Sequence, residues 1–149
     1  MAKHPTRELD QVTAEIIDSA IRVHRELGPG LLESVYEVVL GRILERRGFE
    51  VERQKGVRFE VDGMVFSEGF RLDLLVDRRV VVEVKSVEKL LPVHGKQVLT
   101  YLRLMDLRVG LLVNFGATTL KEGLHRIVHR LPPGNSPFIH VNRPTEPPP

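Results

Sequence analysis

Asp73, Glu83 and Lys85 are the residues of this chain best suited to chemistry. Each sits inside an apolar run that gives a charge no ordinary reason to be there. The first run is Gly69-Phe70-Arg71-Leu72-Asp73-Leu74-Leu75-Val76, and the second is Val80-Val81-Val82-Glu83-Val84-Lys85-Ser86-Val87. Both are short, rich in Val and Leu, and separated by Asp77-Arg78-Arg79, which reads as a β-hairpin. Asp, Glu and Lys are seldom fully buried without a partner. A strand that carries Glu83 and Lys85 among valines therefore calls for a compensating group, and a divalent metal with a lysine beside it supplies one.

The strand period of two sets the expected geometry. Val81, Glu83 and Lys85 share one face, and Val80, Val82 and Val84 the other. On the preceding strand Arg71, Asp73 and Leu75 share a face, opposite Leu72, Leu74 and Val76. A three-residue loop pairs Val76 with Val80, which sets Asp73 across from Glu83 and Arg71 across from Lys85. A two-residue loop would shift the register by one and separate the carboxylates. Directly opposed residues have Cβ atoms about 4.5–5.5 Å apart. Carboxylates that close repel unless positive charge lies between them. Mg²⁺ or Mn²⁺, which take oxygen ligands, would satisfy both, and at least one clustered carboxyl should otherwise be pushed up in pKa.

Asp73, nine residues and then Glu83-Val84-Lys85 resemble the core of the PD-(D/E)xK nuclease superfamily. Gly30-Leu31-Leu32-Glu33-Ser34-Val35-Tyr36 resembles the signature of one branch, the GxxExxY proteins. The likeness runs from about Leu9 to about Val128. It includes Glu88-Lys89-Leu90-Leu91-Pro92, Gln97 with Tyr101, and Gly110 through Phe115. Leu72 stands where the superfamily usually has a proline. The resemblance implies a restriction-endonuclease-like core that hydrolyses phosphodiester bonds of DNA or RNA with Mg²⁺ or Mn²⁺. It implies Asp73, Glu83, the Val84 carbonyl and Glu33 as metal ligands. Lys85 would orient or activate water and stabilise the charge developing on phosphorus, with Gln97 and Tyr101 bordering the site. Such hydrolysis forms no covalent enzyme intermediate, in keeping with the lack of a Ser-His or Cys-His constellation.

Several of these residues also have plainer readings. Glu33 falls at the third position of a helix capped by Gly30, where it would complement the helix dipole. Gln97 and Tyr101 are four apart on one helical face, as a surface Gln and a core Tyr often are. His125 and His129 have a zinc-like spacing but no third ligand.

The elements that must position these residues follow from periodicity. Residues 8–27 carry Leu9, Val12, Ile16, Ala20, Val23 and Leu27 at helical spacing, stopped by Gly28-Pro29-Gly30. Residues 31–47 read as a second helix with Leu32, Val35, Val39 and Ile43 on one face. Residues 57–61 read as a strand, Asp62-Gly63 as a tight turn, and Met64 opens the next strand. Pro92 begins a helix whose stripe is Val98, Tyr101, Leu102 and Met105. Residues 109–115 form a last apolar strand, and 120–129 read as a short helix or an edge strand. The order α-α-β-β-β-α-β suits an α/β, or α+β, sandwich with a mixed sheet. The domain spans 8–130. Seven of the ten prolines lie in 131–149, which reads as a flexible C-terminal tail.

Composition narrows the class. A chain of 149 residues, 42% hydrophobic and 28% charged, is one globular domain. The lack of cysteine excludes disulfides, zinc thiolates and a Cys nucleophile. No apolar stretch approaches the roughly 20 residues of a membrane span, and the N-terminus lacks the apolar run of a secretory signal, so a cytoplasmic location is expected. The net charge of +2 permits nucleic-acid binding without demanding it. A non-catalytic nucleic-acid-binding or protein-interaction module is the alternative. Intact site residues weigh against it, and two tyrosines with no tryptophan offer little stacking surface for single strands. A homodimer or a larger complex could supply substrate recognition that so small a domain lacks.

Overall fold

The computed structural model describes residues 7–130 and 139–141. A six-stranded mixed sheet runs in the order β5-β4-β3-β2-β1-β6. Its strands are β1 (Val51–Val61), β2 (Met64–Val76), β3 (Val80–Lys85), β4 (Val109–Asn114), β5 (Leu124–Val128) and β6 (Ile139–Val141). Among the described residues only β3 and β4 pair in parallel. Helices α1 (Leu9–Leu27) and α2 (Glu33–Arg46) cover one face, and α3 (Pro92–Met105) covers the other. Residues 120–129 combine both expected forms, a four-residue helix α4 (Leu120–Gly123) leading into the edge strand β5. Of the expected tail, 139–141 add β6 beside β1, and the rest of 131–149 lies outside the described residues.

Two cores flank the sheet. Val12, Ile16, Ala20 and Val23 of α1 and Tyr36, Leu40 and Leu44 of α2 pack on Leu74, Val76, Val80, Val82, Val84, Leu111 and Val113. Val98, Leu102 and Met105 of α3 pack on Leu72, Leu75, Val81 and Leu112. β3 is buried on both faces, which explains why its valines occupy odd and even positions alike. Gly110 lets α3 lie close to the sheet, since a Cβ there would stand 2.6 Å from Val98 Cγ1. That approach fixes the height of α3 above β3 and β4.

Two expected faces are corrected. The helix after Gly30 starts at Glu33 with Leu32 as its N-cap, so Glu33 is at the first helical position, not the third. Its buried face is Tyr36, Glu37, Leu40 and Leu44, and Leu32 is 75% exposed. Docking of Tyr36 sets this rotation. The ring stacks on Phe115 with centroids 4.5 Å apart, and the hydroxyl donates to the Gly28 carbonyl (2.5 Å) and accepts from Leu31 N–H (3.0 Å). In β2 the strict alternation also fails. Leu72 and Leu75 face α3, whereas Leu74 and Val76 face α1 and α2, so the side-chain alternation reverses at Asp73.

Candidate metal centre between two splayed strands

The hairpin that carries Asp73 and Glu83 has the three-residue loop and the register that loop implies. Val76 pairs with Val80, Leu75 with Val81 and Leu74 with Val82. There the ladder stops, one pair short of Asp73 and Glu83. Side chains replace the missing backbone partners. Asp73 N–H donates to Glu83 Oε1 (3.1 Å), and Val84 N–H donates to Asp73 Oδ2 (2.8 Å). Each carboxylate thus bonds to the backbone of the opposite strand, and the strands are held apart by the acids themselves. Arg71, expected across from Lys85, instead pairs with Glu68.

Burial makes this pair electrostatically unstable by itself. Glu83 is 4% exposed. Desolvation, with the charge of Asp73 acting in the same direction, pushes its carboxyl up to about 8, although the Lys85 ammonium favours the ionised form. Tyr101 is also raised, first by burial and then by the charges of Glu83 and Asp73, while a hydrogen bond from Gln97 acts in the opposite sense. Tyr101 of α3 therefore lies within reach of the charges of both carboxyls, and Gln97 is hydrogen-bonded to it. Phe70 of β2 stacks on Tyr101 with centroids 4.8 Å apart and holds that helix face against the site.

Loops anchor the strand end beyond Lys85. Buried Asn114 donates to the Val87 carbonyl (2.9 Å) and accepts from Val87 N–H (3.0 Å) and Gly116 N–H (3.0 Å). Ser86 Oγ donates to the Leu31 carbonyl (2.6 Å), and Ser86 N–H donates to Glu33 Oε1 (3.3 Å). Glu33 is thus turned to the backbone next to Lys85, at an exposed groove of about 790 Å³ lined also by Leu32, Glu88 and Gly116. Among the described residues no three Asp, Glu, His or Cys side chains converge closely enough to hold an ion, so Glu33 does not join Asp73 and Glu83 as a third carboxylate. His125 and His129 likewise form no such group.

The donor set still fits Mg²⁺ or Mn²⁺. Two hard carboxylates meet, one buried and one half-buried, where burial and mutual charge outweigh the Lys85 ammonium at Glu83. Mg²⁺ is commonly held by one or two carboxylates with water and substrate oxygens completing its shell.

Two polar residues near Asp73 carry no obvious sequence signal. Glu37 of α2 is 4% exposed. Its Oε2 accepts from Arg53 Nη2 (3.2 Å), and its Oε1 accepts from the Gln54 amide, whose Nε2 also lies 3.5 Å from Asp73 Oδ1. For Glu37 the one available hint is its place a helical turn after Glu33; for Gln54 there is none.

The comparisons with known proteins agree with this geometry. A family model described as the PD-(D/E)XK nuclease superfamily matches residues 10–127. Neither the curated proteins nor the solved structures offer a match. The mixed sheet with flanking helices is the α+β architecture expected of a restriction-endonuclease-like core. With most of its length matched and two acids at the splayed hairpin, the chain belongs to the PD-(D/E)XK nuclease superfamily.

Proposed function

We propose that this protein is a divalent-metal-dependent nuclease of the GxxExxY branch that hydrolyses phosphodiester bonds in DNA or RNA. The observation that carries the proposal is the pairing of buried Glu83 with half-buried Asp73, whose reciprocal bonds stand in for the β2–β3 ladder beside Lys85. Asp73, Glu83 and the Val84 carbonyl would hold Mg²⁺ or Mn²⁺. When bound, the ion supplies positive charge against the phosphate and makes water a better nucleophile at neutral pH.

The chain's own residues do the rest. Lys85 orients the attacking water and stabilises the negative charge that grows on the phosphate oxygens as the water oxygen bonds to phosphorus and the ester oxygen leaves. Gln97 and Tyr101 position substrate at the α3 border of the site. Glu33, through Ser86 N–H, steadies the strand end that carries Lys85. The GxxExxY assignment draws support from the tasks its residues perform. Gly30 turns the chain at φ 104°, Glu33 reaches Ser86, and Tyr36 ties down the loop between the first two helices.

No helix among the described residues is long and apolar enough to cross a membrane. In the proposed reading the enzyme acts in the cytoplasm, and a second copy or a larger complex supplies substrate recognition.

The test is cleavage of labelled single-stranded, double-stranded and flapped DNA and RNA with Mn²⁺. Lys85→Ala should lower the rate by about 10²–10³-fold and leave Mn²⁺ affinity close to that of the parent. Parental cleavage by Lys85→Ala would assign any activity to another site. A panel that binds substrate but cleaves none would favour the non-catalytic module.

A further inference from the structure

One buried acid, Glu37, has no part in the chemistry proposed above. A buried carboxylate must find donors. Glu37 finds two, the Arg53 guanidinium on one oxygen and the Gln54 amide on the other. The same Gln54 nitrogen also faces Asp73 Oδ1 at 3.5 Å. A primary amide nitrogen carries two protons, so it can serve both carboxylates at once. Turning the amide over would aim its oxygen at two carboxylates, which fixes the orientation seen. Asp73 is then held on both oxygens, Oδ1 by Gln54 and Oδ2 by Val84 N–H.

The backbone at Gln54 carries a second, independent sign. Its φ is 50°, in the left-handed region that non-glycine residues seldom adopt. Strain of this kind persists where surrounding interactions over-determine it, and it concentrates at functional sites. Gln54 falls between the pairs Arg53–Leu74 and Lys55–Leu72, which sets it opposite Asp73, where the alternation of β2 reverses. The turn in β1 aims the amide toward Glu37 and Asp73 together.

We infer that Gln54, anchored by the buried Glu37 carboxylate, is a positioning residue that sets the orientation of the Asp73 carboxylate. Its purpose rests on the metal-dependent reading, whereas its geometry does not. Partners that orient a metal ligand are worth about 10–100-fold in metal affinity.

Gln54→Gly is the informative variant, because glycine adopts the left-handed backbone freely while the amide is lost. Two measurements are made on parent, Gln54→Gly, Glu37→Ala and Glu37→Gln. One is the NMR position of the Val84 amide proton without metal, which reports its bond to Asp73. The other is calorimetric titration with Mn²⁺, with melting curves to confirm the fold. Gln54→Gly should melt near the parent, shift the Val84 amide upfield as its carboxylate partner loosens, and bind Mn²⁺ at least about tenfold more weakly. Glu37→Ala should behave alike. Glu37→Gln, which keeps an acceptor for the amide, should recover most of the parental Val84 position. A folded Gln54→Gly variant with the parental Val84 resonance overturns the inference. If the parent takes up no Mn²⁺, the nuclease reading fails, and the Val84 resonance still decides the positioning role.

Discussion

The two ends of the β2–β3 hairpin lie side by side and are built by opposite means, one fully buried and apolar, the other pairing buried Glu83 with half-buried Asp73. Near the turn, Leu74, Leu75, Val76, Val80, Val81 and Val82 close an ordinary ladder, each at 1% exposure or less. Three residues away, at the far end, Asp73 and Glu83 replace backbone partners with carboxylates. The apolar end draws stability from surface removed from water. The acidic end gives stability away, because two carboxyls share a place that favours at most one negative charge. A strand pair that spends stability at one end and stores it at the other is what a site on a rigid scaffold requires.

The largest effect is expected at the apolar end. Leu74→Ala removes fully buried atoms from the α1–α2 core and should destabilise the protein by about 2–5 kcal/mol in urea denaturation. A loss under 1 kcal/mol, roughly the scale of a surface change, would mean that this end is not the anchor.

At the acidic end the sign should reverse, and pH should reveal it. Glu83 titrates near 4.5 when unfolded and near 8 when folded without metal. Between those values the native state holds the extra proton, so stability falls as pH rises, with the loss complete above about 8. The slope is at most about 1.4 kcal/mol per pH unit. Glu83→Gln has no such proton and should lie flat through this window, becoming the more stable protein at its alkaline end. Denaturation curves at a series of pH values in chelator decide it; equal slopes in the two proteins would remove Glu83 as the source.

The smallest effect belongs to the rim. Gln97→Ala removes a hydrogen bond to Tyr101 and should slow cleavage by less than about tenfold, the scale of one neutral hydrogen bond. A loss as large as that of Lys85→Ala would move Gln97 from the border into the chemistry.

The same contrast explains what could be read from the sequence. The register at the turn was legible because loop length and valine alternation both point to Val76 opposite Val80. Pro92 and the spacing of Val98, Leu102 and Met105 likewise fixed α3, whose Tyr101 feels the charges of Glu83 and Asp73. The reversal of alternation at Asp73 was not legible. It depends on a left-handed backbone at Gln54, a residue type that gives no hint of it, and on side chains taking over ladder bonds. The buried face of α2 was misplaced for a similar reason. Periodicity alone favoured Leu32 and Val35, whereas the docking of Tyr36 between Gly28, Leu31 and Phe115 chose the neighbouring face. Glu33, at the first helical position, meets Ser86 N–H and does not join Asp73 and Glu83 as a third carboxylate.

The proposed function requires Asp73 and Glu83 to hold one divalent ion together. Calorimetric titration of Mn²⁺ into the parent and Asp73→Ala tests it most directly. The parent should bind one ion per chain, and Asp73→Ala should show no binding over the same range. Equal binding by both proteins would put the metal elsewhere and rule out a site shared by Asp73 and Glu83.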